Sequence, residues 1–446
     1  MKRIKKQVVA VVCMFTMLAV GLAACGKSGS DNAGPNAGAN NSKTFAEDPY
    51  SDIPDELKGT EISVALWYDV PEEELKAIED FTRKTGIKVN AEVVATTDAG
   101  YSEKVIAAVS SGMPYDVIKV GGTNFPIWTS SVCQPLDETI FRLEDDIWDY
   151  ELMDGCKVDG RYYGVNIKGS FSNDTSYVLY YNKTMLENYG IKTPRQYYED
   201  GDWNWDTLET TCKAIKDSIS GVSPLGFYKT QMMAQSAGTD FVTYDGTKFS
   251  ANLTDQKLID SYTRLSQFTK LGYYTADDYF ADELSSGKLA MLCGITFGMK
   301  SNNGWWADTN GLRAGELDAV PFPSPAGEEL LVPADAKLYG ISKGSKNQEA
   351  AAYFLRYFLD PVNYDMDNMF LNDNLKDTFN KVLQEKRYIN YSEAIIKYID
   401  LNSYFQLNHY LTRGDASQTS VTLDQYSNIV TKAVSRVNDE ILGVSE

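Results

Sequence analysis

The chain has 446 residues, 43% of them apolar, and carries 42 Lys and Arg against 62 Asp and Glu, a net charge of −20. A surface this acidic repels nucleic acid and anionic lipid headgroups. The lone histidine, His409, falls in a Tyr-rich stretch and reads as a packing or surface residue. Ser-His-Asp and Cys-His chemistry, which need an imidazole base, are therefore set aside. Carboxylate-only catalysis of the glycosidase kind survives that test. Neither a Gly-x-Gly-x-x-Gly turn nor a Walker-type phosphate loop occurs, and no Cys-x-x-Cys spacing suggests zinc. No cofactor and no metal are expected.

In chain order, Lys2, Arg3, Lys5 and Lys6 precede an apolar run from Val8 to Ala24. A basic start, a short apolar core and small residues at the exit describe a secretion signal better than a stable membrane span. Leu22-Ala23-Ala24-Cys25 resembles the lipobox of bacterial lipoproteins, which implies cleavage before Cys25 and a lipid on that cysteine. Gly26 to Asn41 is Gly, Ser, Asn, Ala and Asp with almost nothing to bury, the composition of a flexible tether. One acyl chain binds a membrane only marginally, and a multiply acylated cysteine would anchor stably. The expected location is the extracytoplasmic face of the cell membrane.

Without a 24-residue leader, 422 of the 446 residues remain. That exceeds the roughly 250 to 300 residues one core sustains, so two domains are expected. Of six cysteines, Cys133, Cys156, Cys212 and Cys293 lie beyond Cys25. They could be buried free thiols or oxidise in any of three pairings, with Cys133–Cys156 the first candidate.

The folded part starts near Thr60. Glu61 to Trp67 reads as a buried strand, with Trp67 in the core. Pro71 opens a helix whose Glu72-Glu73-Glu74 run suits the positive helix end, with Leu75, Ile78 and Phe81 inward and Gly86 as cap. Ile87 to Val94 is a strand. Tyr101 to Ser111 is a helix burying Val105, Ile106 and Val109, and Asp116 to Val120 is a third strand. Such alternation predicts an open α/β sheet with ligand beyond the strands' carboxyl ends. Those ends are Trp67-Tyr68-Asp69 and Gly121 to Asn124.

A second α/β pattern follows: strand Tyr177 to Tyr181, helix Lys183 to Tyr189, and helix Thr207 to Ile219 behind Trp203 and Trp205, which cap and pack it. Helices Leu258 to Leu271 and Asp277 to Ser286 come next, then a strand within Gly287 to Gly294. Pro321 to Pro325 is an extended connector. Gln348 to Leu359 is a helix with Ala351, Phe354, Leu355 and Phe358 inward, and beyond Pro361 the chain reads as mostly helical.

These segments in this order carry a family resemblance. Phe81-Thr-Arg-Lys-Thr-Gly-Ile-Lys-Val89, Tyr101-Ser-Glu-Lys-Val, Ser111-Gly-Met-Pro-Tyr-Asp116, Gln134-Pro-Leu-Asp137 and Asp159-Gly-Arg-Tyr-Tyr-Gly164 form its first half. Leu179-Tyr-Tyr-Asn-Lys183, Trp205-Asp-Thr-Leu208, Gly287-Lys-Leu-Ala-Met291 and Ile341 to Ala351 form the second. Nearly all of the mature chain resembles the extracellular solute-binding proteins of ABC sugar importers, the maltose-binding type. The resemblance implies a type II periplasmic-binding-protein fold: two α/β lobes, a cleft between them, and a hinge crossed more than once. It implies a leader over 1–24, a tether over 25–59, a first lobe over 60–168 plus 322–360, and a second over 169–321 plus 361–446. The Gly/Ser/Asn-rich stretch Asn166 to Ser176 and the Pro321 to Pro325 connector are natural crossings.

A sugar offers apolar ring faces and a rim of hydroxyls, which flat aromatics and short fixed polar groups satisfy. Tyr68, Asp69, Thr123 and Asn124 follow first-lobe strands, and Phe171, Asn173 and Asp174 lie in the first crossing. Phe297 stands where family members place a stacking aromatic. Trp305 and Trp306 follow, and adjacent residues of an extended chain point opposite ways, so one of the two is a platform. The implied function is capture of a carbohydrate, an oligosaccharide first, by a monomer that delivers it to an ABC permease. Three alternatives stand beside it: another polar solute, a sugar adhesin, or a glycosidase with Asp69 and Asp174 as its carboxylate pair.

Overall fold

The computed structural model describes residues 53–274, 281–302, 304–306 and 314–444. The leader, Cys25 and most of the tether lie outside the described residues, as does the start of the helix expected from Asp277. No helix among the described residues is long and apolar enough to cross a membrane.

Strands β1 (Glu61–Leu66), β2 (Lys88–Val93), β3 (Val117–Gly121) and β4 (Cys133–Gln134) come from the first third of the chain. β1 lies parallel to both β2 and β3. Helices Glu72–Thr85 and Asp98–Ser110 supply the crossovers. Gly86 ends the first of them at φ 75°, the left-handed conformation glycine adopts without Cβ penalty. The inward faces differ in part from expectation. Glu74, Ala77, Ile78 and Phe81 are buried, whereas Leu75 is 46% exposed. On the second helix Tyr101 and Val105 are buried and Ile106 is 44% exposed.

A second sheet holds β5 (Tyr177–Asn182), β6 (Ser223–Phe227), β9 (Leu289–Ile295) and β10 (Leu317–Pro321), in the order β10-β5-β9-β6. A small hairpin, β7 (Val242–Tyr244) with β8 (Phe249–Ala251), stands apart from it. The helix Trp205–Ser218 begins at Asn204, and the two tryptophans before and at its start are buried. Their indole N–H groups donate to the Pro321 and Pro323 carbonyls, tying the helix to the proline connector.

Beyond the connector, β11 (Leu331–Asp335) pairs in parallel with β13 (Lys386–Asn390) as a two-stranded ribbon. The chain then joins the first sheet through β12 (Lys337–Ser342), antiparallel to β3 and β4, giving the order β2-β1-β3-β12-β4. β13 is the one strand among the described residues of the otherwise helical part beyond Pro361. The Arg387 guanidinium grips buried Asp149 through Nη1 at 2.9 Å and through Nη2, pinning the ribbon to the first-lobe side. The helix Gln348–Phe358 buries Ala351, Phe354, Leu355 and Phe358 as expected.

Cys133, Cys156, Cys212 and Cys293 are all buried free thiols, so the Cys133–Cys156 bridge is not formed. Burial pushes each thiol well above its ordinary pKa, which suppresses the thiolate that oxidation requires.

Phe81 is fully buried, with its ring centroid 5.4 Å from Phe354 and 5.6 Å from Tyr357. Phe81→Ala is expected to remove about 3–5 kcal/mol of stability in urea unfolding. A loss below about 1 kcal/mol would contradict this packing.

Candidate functional site: the junction between the two sheets

Topology brings particular residues to facing edges. In the first sheet, the carboxyl ends of β1 and β3 lie beside the amino end of antiparallel β12, where Lys337 pairs with Gly121. Trp67, Tyr68 and Lys337 therefore share one edge. In the second sheet, the carboxyl end of β9 meets the amino end of β5, with Ile295 opposite Tyr177, and β6 delivers Tyr228 and Lys229. The segment between the sheets, ending in Asp174-Thr175-Ser176, stitches the edges together. Phe297 N–H donates to the Asp174 carbonyl at 2.8 Å, Thr296 N–H to Ser176, and Thr175 Oγ1 to the Asp335 carbonyl.

Asp174 is 3% exposed, and its carboxylate is shared by two lysines. Lys300 Nζ, just past β9, donates to Oδ2 at 2.6 Å; Lys337 Nζ, from the first sheet, donates to Oδ1 at 2.6 Å. Burial acts to raise the Asp174 pKa, but the two ammonium charges outweigh it and hold the carboxyl below its ordinary value. Lys337 moves the other way. Burial, with the charges of Lys300 and Lys119 added, lowers it to about 8 although Asp174 opposes the shift.

Glu74 is the surprise of the first-lobe helix. It is 3% exposed and accepts a hydrogen bond from the Tyr68 hydroxyl, so it is a buried, partnered carboxyl rather than only a favourable helix start. Burial lifts its carboxyl from 4.5 to about 7. Trp67 is half-buried beyond β1 rather than sealed in the core. Lys119 Nζ stands 4.4 Å from its ring centroid and Lys337 Nζ 5.3 Å.

The other expected residues divide. Asp69 is exposed and no ion pair is formed by it among the described residues. Thr123 and Asn124 lie in the turn after β3, where buried Asn124 accepts from Ser102 Oγ at 3.2 Å. Phe171 is buried, its ring 5.5 Å from Phe358 and 4.7 Å from Tyr364, so it packs rather than offering a free face. Asn173 donates to the Ile167 carbonyl at 2.8 Å, while its buried Oδ1 has no protein partner.

Phe297 is half-buried, with Lys300 Nζ 5.5 Å from its ring. Trp305 is half-buried and Trp306 is 2% exposed, with its indole N–H donated to the Ala281 carbonyl at 3.2 Å. The open ring of the pair is thus Trp305. It lies over Gly294 and Trp306 over Gly298; a Cβ at either glycine would collide with the ring above it. Tyr228, which is 39% exposed, stands 5.2 Å from Trp305. Beside it Lys229 contacts Glu393 and reaches Asp335 at 3.1 Å. Asp335 also accepts from Tyr177 and Asn390. Glu73 and Asn302 hydrogen-bond from one sheet's side to the other's.

The two carboxylates of the glycosidase alternative differ in environment. Asp174 is buried between two ammonium groups, and Asp69 is an exposed carboxylate outside that contact. Sequence reasoning missed Glu74, Lys119, Tyr228, Lys229, Lys300 and Lys337. A readable signal existed for two of them: Lys119 interrupts the buried run Val117-Ile-Lys-Val120, and Lys337 heads the apolar strand after Ala336.

Two α/β sheets joined by a multiply crossed junction, with aromatic and charged side chains converging there, define a two-lobed binding protein of type II periplasmic architecture. The model of the bacterial extracellular solute-binding proteins matches residues 67–364, and the chain belongs to that family. It is 24% identical over 370 residues to the diacetylchitobiose binding protein DasA of Streptomyces coelicolor, covering 80% of this chain and 78% of that one. Among solved structures, the sugar-binding protein MalE of Xanthomonas citri superposes with a TM-score of 0.64 at 16% identity, over 84% of this chain and 98% of its own. The galacto-N-biose/lacto-N-biose I-binding protein of Bifidobacterium longum gives 0.64 at 14% identity, over 86% and 98%. At these identities the superpositions speak for the fold alone.

The Glu74 carboxyl binds its proton more tightly folded than unfolded. Its contribution to stability is therefore full below pH about 4.5 and declines as the pH rises to about 7. Glu74→Gln is expected to remove that decline, seen as the difference between the two proteins' urea-unfolding free energies across this window. Parallel curves would contradict the assignment.

Proposed function

We propose that this protein is the receptor of an ABC sugar importer, capturing an oligosaccharide between its lobes and handing it to the permease without chemistry. The observation that carries the proposal is the convergence of half-buried aromatics from both sheets, Trp67 and Tyr68 on one side and Tyr228, Phe297 and Trp305 on the other, around fixed polar groups. Such rings suit sugar faces, and Asn124, Asn173 and the charged side chains suit hydroxyls. The diacetylchitobiose-binding relative supports the same ligand class.

In this proposal the lobes comprise 60–168 plus 322–360 and 169–321 plus 361–446, with Lys337 the residue that carries the returning chain into the first sheet. A sugar touching both lobes would shift an open–closed equilibrium toward closed, and the permease would recognise the closed pair. Cys25 is the proposed lipid site and 25–59 the tether that lets a monomeric receptor range near the permease on the outer face. The two ammonium groups held on Asp174 speak against its serving in hydrolysis with Asp69.

Calorimetric titration of the mature protein with an oligosaccharide panel is expected to yield a binder, and Trp305→Ala is expected to weaken that binder by about tenfold or more while leaving the protein folded. Unchanged affinity would remove Trp305 from the site; absence of any sugar binding would overturn the proposal. Cys25→Ala should move the protein from the membrane fraction to the soluble fraction, and retention on the membrane would contradict the anchor.

A further inference from the structure

The charge at the floor of the junction is opposite to that of the chain as a whole. In a protein with net charge −20, three ammonium groups gather round Trp67 and Asp174. Lys119 and Lys337 flank the Trp67 ring at 4.4 and 5.3 Å, and Lys300 shares Asp174 with Lys337. The acids near them offset this charge in part, and Asp69, two residues past Trp67, is exposed to solvent. Asp174 is one carboxylate for two lysines. Glu74, the second, accepts from Tyr68 and is drawn toward neutrality by burial, with Tyr339 and Tyr364 packed around it. Asp98, the third, lies 3.7 Å from Lys119 but is 65% exposed, so solvent screens it.

The second-lobe wall behaves otherwise. There Lys229 sits between Asp335 and Glu393 and is already saturated with carboxylate. Glu393 feels Asp335 and Asp98 as like charges, and its carboxyl is raised, with burial the larger cause. Among the described residues, the lysine with a single long carboxylate contact thus lies on the Trp67 side. Lys300 and Lys337 are nearly sealed by their contacts with Asp174, with side chains 7% and 10% exposed. Lys119, 19% exposed and held only by the long Asp98 contact and the Trp67 face, is the cation a ligand can reach.

We infer that the cleft selects an oligosaccharide bearing an anionic substituent, a carboxylate or a sulfate ester, placed so that the anion meets Lys119 beside Trp67. This inference rests on the sugar-receptor reading and adds a ligand class to it. Lys300 and Lys337 supply field rather than contact. A buried charge-assisted hydrogen bond gives such a ligand an advantage over its neutral counterpart and makes binding weaken with salt.

The test is calorimetry on the mature protein with trimers of galacturonate, glucuronate and mannuronate, with a sulfated disaccharide, and with their neutral counterparts, each at low and high salt. At least one acidic probe is expected to bind about tenfold or more tightly than its neutral counterpart, with the advantage shrinking as salt rises. The preferred probe then tells carboxylate from sulfate. Lys119→Gln should lower affinity for that probe about tenfold and flatten its salt dependence. Neutral sugars binding as well as every acidic one, or a folded Lys119→Gln protein with undiminished affinity for the preferred probe, would overturn the inference and leave the sugar receptor standing. Failure of every probe, acidic and neutral, in the same panel would overturn both.

Discussion

The carboxylate of Asp174 is the point on which the two halves of this molecule depend. It belongs to the segment linking the sheets, yet its two oxygens are claimed by a lysine from each: Lys300 past the second sheet and Lys337 at the head of a first-sheet strand. An ion this deeply buried is tolerable only because both oxygens are paired, and the arrangement is unforgiving of any shift in register. The backbone repeats the same message, since Phe297 N–H reaches the Asp174 carbonyl and Thr175 reaches Asp335. The junction is therefore fixed at its floor, while the half-exposed rings above it are free to meet a ligand.

That floor also explains the unusual proton affinities nearby. Removing water from Glu74 makes its charge expensive, and the same removal lowers Lys337. The groups sit on different elements, a helix start and a strand start, and meet because β1 and β12 flank β3 in the first sheet.

Much of the fold was legible in the sequence because its α/β periodicity is strong. The strand near Glu61, the helix closed by Gly86 and the inward Phe354 and Phe358 all follow from spacing and caps. What failed was local chemistry overridden by long-range packing. Leu75 lost its place to Glu74 because Tyr68 and the lysines of distant segments make a buried carboxylate acceptable. β13 went unnamed because a short strand whose partner lies some 55 positions away leaves no local periodic mark. At the site, Tyr68, Asp174, Phe297 and Trp305 could be named from their places just before or after strands. It did not reveal that Phe171 and Trp306 turn into the core, nor that Lys300 and Lys337 would claim Asp174, since those pairings are decided over 126 and 163 residues of chain.

The central claim is that a sugar lies between the two sheets, in contact with residues of both. A crystal structure of the mature protein grown with the oligosaccharide that binds it most tightly tests this directly. The account predicts density bounded by Trp67 on one side and Trp305 on the other, with Asp174 still held by Lys300 and Lys337. Density seated on the outer face of a single lobe, with the junction empty, would contradict it.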